Sequence, residues 1–115
     1  MAVKRIVPNI AAPDPAAAKA FYGDVFGLDL AMDMGWIVTF VGGEGSMQVS
    51  AMSEGGSGTP APAISIEVDD FDETLARAKA AGFAPEYGPV DEPWGVRRFF
   101  LRDPFGTLVN VLTHL

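Results

Sequence analysis

The chain has 115 residues, 49% of them apolar, no cysteine and a formal charge of −7. A single domain of this size buries roughly 65% of its unfolded surface; the acidity argues against nucleic acid and mildly favours cationic ligands. Without cysteine there are neither disulfides nor thiolate chemistry, which suits a cytoplasmic protein; no apolar run nears the ~20 residues of a membrane span, and no apolar stretch follows Lys4 and Arg5 to make a signal peptide.

Residues 5–11 alternate, with Ile6 and Ile10 on one side and Val7, Asn9 and Ala11 on the other, so the pattern predicts a first strand. Asp14 is a candidate N-cap with Pro15 at the first helical position. A helix over 16–26 follows, carrying Ala18, Phe21, Tyr22, Val25 and Phe26 at helical spacing, and Gly27 stops it. Strands are expected at 28–34, 36–41 and 47–52, with a Gly-rich turn at 42–45. Residues 54–61, rich in Gly, Ser and Pro, read as a flexible connector.

The same order then recurs. Residues 63–68 alternate Ile64, Ile66 and Val68 against Ala63, Ser65 and Glu67. Asp69 and Asp70 cap a helix over 71–81 with Phe71, Leu75, Ala78 and Ala81 on one face, and Gly82 ends it. A short strand is expected at 83–87, then a Gly/Pro-rich loop, then strands at 96–102 and 107–113. Asp103-Pro104-Phe105-Gly106 joins that last pair: Asp can bond the backbone ahead, Pro presets φ, and Gly closes the turn. Strand, Asp-capped helix, Gly stop and three strands thus occur twice at a spacing of 55 or 56 residues. A repeat of that length is a supersecondary unit used twice, which gives one domain with modules at 1–53 and 62–115 and a connector at 54–61.

The Asp103-Pro104-Phe105-Gly106 turn between two strands resembles the closing signature of the glyoxalase/bleomycin-resistance/dioxygenase superfamily, the vicinal oxygen chelate proteins. Trp94-Gly95-Val96-Arg97-Arg98-Phe99 resembles the segment before that turn in the bleomycin-resistance branch. Thr107 departs from the pattern, since Asn is frequent there. The resemblance implies an α+β fold of two tandem βαβββ modules forming a cup-shaped mixed sheet, with helices outside.

In the superfamily's metalloenzymes, His and Glu side chains on the first and last strands of each module hold a divalent metal. Carried over, those positions fall at Val7, at Ala63, within a residue of Val49, and at Asn110. None of the first three can ligate, and Asn110 offers only a carbonyl. Neither a metal nor another cofactor is therefore expected. Cysteine chemistry is absent, and a Ser-His-Asp arrangement would need His114 to leave the C-terminal tail where it is expected.

What remains resembles a binding cup. By alternation Asn9, Ser65, Glu67, Arg98, Phe100, Asn110 and Leu112 share the concave face, while Trp36, Met47, Met52 and Trp94 supply aromatic or soft walls. Glu67 and Arg98 are candidates to pair with each other. Trp94, beside Gly95 and behind Asp91 and Glu92, is the outstanding candidate for stacking on a planar or cationic ligand. The expectation is a metal-independent, homodimeric small-molecule binding protein that sequesters a cationic aromatic compound or antibiotic, without nucleic-acid or membrane partners. The alternative is a metal-dependent lyase, isomerase or dioxygenase with an atypical site that includes Glu67 and Asn110.

Overall fold

A computed structural model describes residues 2–115. The chain divides into two compact units, one made of residues 2–6 with 62–115 and the other of residues 7–61. Strand β1 (Val3–Ala11) supplies a few residues to each.

In the unit of residues 7–61, β2 (Asp29–Asp33), β3 (Ile37–Gly42) and β4 (Met47–Met52) form an antiparallel meander. The end of β1 pairs in parallel with β4, Asn9 opposite Ser50, so the order is β2-β3-β4-β1. Ile37, Val38, Thr39 and Phe40 are all buried, as befits a β-branched and aromatic strand covered on both faces.

The regular helix expected over 16–26 does not form; a 3₁₀ turn (Pro15–Ala17) passes into a π-helical turn (Lys19–Val25). Three causes are visible. Asp14 makes no side-chain capping bond, and no residue of Lys19–Val25 is buried, so little tertiary packing favours one helical form over another. Gly23, a weak helix former, sits inside the turn. The aromatic rings cluster instead: Phe21 contacts Tyr22 and Phe26 edge-on at 5.0 and 5.3 Å, and Tyr22 leans on Phe40 at 5.8 Å.

The stretch expected as a flexible connector closes on itself. Gly55 N–H donates to Thr59 O at 2.8 Å, Thr59 N–H to Gly56 O at 3.0 Å, and Gly58 N–H to Glu54 Oε1 at 3.1 Å. Gly55 and Thr59 are buried. A Cβ at Gly55 would lie 2.3 Å from both Pro60 O and Thr59 Oγ1, so close packing requires this glycine.

The other unit repeats the plan with a better core. Strands β5 (Ile64–Val68), β6 (Tyr87–Glu92), β7 (Val96–Arg102) and β8 (Leu108–His114) lie in the order β5-β8-β7-β6, and only β5 and β8 are parallel. Helix α1 (Phe71–Ala80) begins where expected: Asp70 accepts the Glu73 N–H at 3.0 Å, acidic residues fill the first turn, and Arg77 and Lys79 fill the last. Phe71 of α1 packs with Val68, Phe99 and Val111, flanked by Ile66, Leu75, Leu101 and Val109. The Phe71 and Phe99 rings meet edge to face at 5.3 Å. One side of this sheet is therefore apolar and covered by α1, and period-two alternation sends Ser65, Glu67, Arg98 and Asn110 to the other, together with Phe100 and Leu112.

The strand expected at 83–87 is displaced: β6 begins at Tyr87 and runs through the Gly/Pro-rich stretch. It can do so because the register slips between Tyr87 and Val90, a bulge that absorbs Gly88 and Pro89. Gly88 has φ +76°, and a Cβ there would lie 2.5 Å from Arg98 O. In the terminal hairpin, Asp103 Oδ1 accepts from Phe105 N at 2.8 Å and Thr107 N at 2.9 Å, as the turn chemistry predicts. The architecture is thus α+β, with a βαβββ module repeated, although the first module's helix is irregular. Among the described residues no helix is long and apolar enough to cross a membrane.

Candidate ligand-binding face

The register of β5, β8, β7 and β6 fixes which residues share the face opposite α1. One row runs Ser65, Asn110, Phe100, Tyr87, and the next runs Glu67, Leu112, Arg98, Val90. His114 lies opposite Val96 one step further along. Of the residues expected on a common face, Ser65, Glu67, Arg98, Phe100, Asn110 and Leu112 are brought together within this unit.

Asn110 is only 8% exposed. Its Nδ2 donates to Ser65 Oγ at 3.1 Å, while its Oδ1 is buried with no partner among the described residues. Turning the amide over would exchange the two arms and still leave one unpaired. A buried polar atom without a partner costs roughly 1–3 kcal/mol, so Asn110 holds an unmet hydrogen-bonding capacity.

Arg98 is a buried cation with its charge fully managed. Its side chain is 3% exposed, and its Nε donates to Glu92 Oε2 at 2.7 Å. Tyr87 Oη–H donates to the same oxygen at 3.0 Å. The guanidinium lies over the rings of Phe100, Trp94 and Tyr87 at 4.7, 4.9 and 5.4 Å. Such an ion pair tolerates burial only because its geometry and hydrogen bonds are complete, and the ring faces add cation–π attraction. Trp94, half-buried, therefore packs against the protein's own cation.

The Glu67–Arg98 pairing expected from sequence does not occur. Arg98 belongs to Glu92, and Glu67 pairs with Arg5 Nε at 2.7 Å and His114 Nδ1 at 2.6 Å. Burial of the Glu67 carboxyl pushes its pKa up, but the His114 hydrogen bond and the Arg5 charge outweigh this and hold it below the usual carboxylate range. His114 is accordingly no tail residue; it is the last residue of β8.

The remaining candidates lie in the unit of residues 7–61. Asn9 is half-buried opposite Ser50, whose hydroxyl is 2.7 Å from that of Thr39. Trp36 is half-buried just before β3, and its carbonyl accepts from Ser53 N at 2.9 Å. Met52, expected as a pocket wall, is a core residue at 3% exposure. Met47 is exposed, and with Tyr22, Phe26, Leu28, Gln48 and Val49 it lines an apolar cavity of about 410 Å³. Sequence reading missed Tyr87, Glu92 and His114 as partners. Pairing across the β6–β7 hairpin would have found Tyr87 and Glu92, but the slip between Tyr87 and Val90 hides that register; Glu67 and His114 meet across the parallel β5–β8 pair, which joins segments far apart in the chain.

The donor set does not fit a metal. Ser65 opposite Asn110 and Asn9 opposite Ser50 show that the last-strand counterpart of Asn110 is Ser50, one residue beyond the expected Val49. A one-residue step reverses the face, so this matters. The four positions then hold Val7, Ala63, Ser50 and Asn110: two aliphatic side chains, a hydroxyl bonded to Thr39, and an amide. Among the described residues no group of three or more His, Cys, Asp and Glu side chains is placed to hold a metal ion.

A repeated βαβββ module with a polar sheet face defines the class of protein to which comparison points. The sequence model of the Glyoxalase/Bleomycin resistance protein/Dioxygenase superfamily matches residues 3–111, and the chain belongs to that superfamily. A search of the curated proteins returned no match. Among solved structures the chain is similar to a superfamily member from Vibrio splendidus 12B01, at 17% identity and TM-score 0.67, over 99% of this chain and 100% of that one. It is similar to methylmalonyl-CoA epimerase from Mycobacterium tuberculosis at 17% identity and TM-score 0.64, covering 98% and 87%. A structure described as an NAD-dependent benzaldehyde dehydrogenase from Legionella pneumophila is similar at 14% identity and TM-score 0.76, covering 96% and 99%. Likenesses at this identity carry the fold and not an activity.

Proposed function

We propose that this chain is a metal-independent small-molecule binding protein of the superfamily, and that its ligand is a planar aromatic compound carrying N–H donors or a positive charge. The single observation that carries this is Asn110. It stands where the metalloenzymes of the family place a metal-ligating carboxylate, and it keeps one buried arm of its amide unpaired next to Ser65 and Phe100. A carboxylate there would want a cation; a neutral amide wants a hydrogen-bonding ligand. Trp94, only half-buried, supplies aromatic surface on the same side, and the charge of −7 supports attraction of a cation. Since Arg98 already occupies the inner ring faces, the ligand stacks on the exposed part of Trp94. We further propose a homodimer, because Phe21, Val25, Phe26 and Leu30 are each at least half exposed, an apolar patch of the kind that a partner covers.

The test is isothermal titration of metal-stripped protein with metal-free bleomycin, with elemental analysis of untreated protein alongside. Binding at about one ligand per chain, weakened roughly tenfold by Asn110→Leu through loss of one hydrogen bond, supports the reading. Binding that is indifferent to Asn110→Leu, or a stoichiometric metal in the untreated protein, overturns it.

A further inference from the structure

Glu67 and His114 form a carboxylate–imidazole pair on this face that the binding reading does not use. The Glu67 side chain is 9% exposed, and its two carboxyl oxygens are committed, one to Arg5 at 2.7 Å and the other to His114 Nδ1 at 2.6 Å. The His114 side chain is 53% exposed. Nδ1 faces a buried acceptor, while about half of the side chain as a whole is exposed. A carboxylate cannot donate to Nδ1, so it selects the tautomer with the proton on Nδ1 and the lone pair on Nε2. The ring is anchored by the strand as well. His114 lies opposite Val96, and Leu115 N donates to Gly95 O at 2.9 Å, which ties this end of β8 to the turn that carries Trp94.

From this geometry we propose that His114 is a general base, held in its tautomer by Glu67 as a positioning residue, and that the site accelerates attack of water on an activated ester. Nε2 takes the proton from water as the water oxygen bonds to the acyl carbon. The bond to the leaving oxygen breaks, the leaving group departs as its anion, and the imidazolium returns the proton to solvent. Products are the acid and the alcohol or phenol, with no oxidant or further reactant. Arg5 keeps the positioning carboxyl charged and fixed while the imidazole gains and loses its charge.

The test uses p-nitrophenyl acetate with the full chain at about pH 8. Hydrolysis above the buffer rate is expected, falling roughly a hundredfold in His114→Ala, the usual span of a lost general base. Glu67→Gln is expected to lower the rate while leaving the imidazole in place, and Glu67→Asp to recover part of it. Because the chain contains one histidine, its ¹⁵N resonances report the tautomer without assignment ambiguity. The Nδ1–H form is expected in the native protein and a mixture in Glu67→Gln. A rate at the buffer level, a rate unchanged in His114→Ala, or an Nε2–H tautomer in the native protein overturns the proposal. Titration of His114→Ala with bleomycin keeps the two readings apart, since retained binding with lost or absent hydrolysis bears on the dyad alone.

Discussion

Arg98 sets the chemistry of the residue scale, because a cation at 3% side-chain exposure has no fallback if its partner is lost. Glu92→Ala is expected to cost about 3–5 kcal/mol of unfolding free energy, the usual penalty for stranding a buried charge; urea denaturation measures it. The double variant Glu92→Leu with Arg98→Met is expected to recover most of that loss, since removing both charges removes the stranded one. Glu67 gives a pH signature. Its pKa is lowered on folding, so its contribution is fully present above the ordinary carboxylate value of about 4.3 and is lost as the pH falls through the depressed value. Melting temperature followed from pH 6 down to about 3 should therefore fall less steeply in Glu67→Gln than in the native chain. Both pairs were legible in the sequence only as residue types. Glu67 and Arg98 looked like natural partners by alternation, and the pairing failed because Glu92 reaches Arg98 from the neighbouring strand β6 while Arg5 reaches Glu67 from β1.

The two helical segments differ at the scale of elements, although their sequences begin alike. Asp70 caps α1 with a hydrogen bond to Glu73 N, and Phe71 seats the helix in the core. Asp14 makes no capping bond, and the turn after it buries nothing. Asp70→Ala is therefore expected to lower stability by about 1 kcal/mol, and Asp14→Ala by no more than about 0.5 kcal/mol, as for surface positions without a special contact. Thermal or urea unfolding of the pair checks the contrast. The same scale explains the stretch at 54–61. Its composition reads as a loose linker, yet hydrogen bonds to Glu54 and Thr59 close it. With Pro60 O and Thr59 Oγ1 each 2.3 Å from the place of a Cβ, Gly55→Ala is expected to destabilise the protein, whereas a free linker would tolerate it.

For the whole molecule, the exposed Phe21, Val25, Phe26 and Leu30 belong to the same irregular segment and the strand after it. Sedimentation at micromolar concentration is expected to give a mass twice that of one chain, and Phe26→Lys to return it to one. A monomer in the native protein removes the dimer. What the sequence determined by itself is the local grammar: period-two strands at 47–52 and 96–102, the Asp70 cap, the Asp103 turn and the repeated module. These depend on neighbours within a few residues, where alternation, capping and turn chemistry act directly. Alternation along the strands also sufficed to place Ser65, Arg98, Phe100 and Asn110 on one face. Only the tertiary structure decided which charges meet, that β6 starts at Tyr87, that Ser50 and not Val49 matches Asn110, and that His114 leaves the tail for Glu67. Each of those depends on strand register, and register is set by bulges and cross-strand contacts between residues far apart in the chain, which no short window of sequence contains.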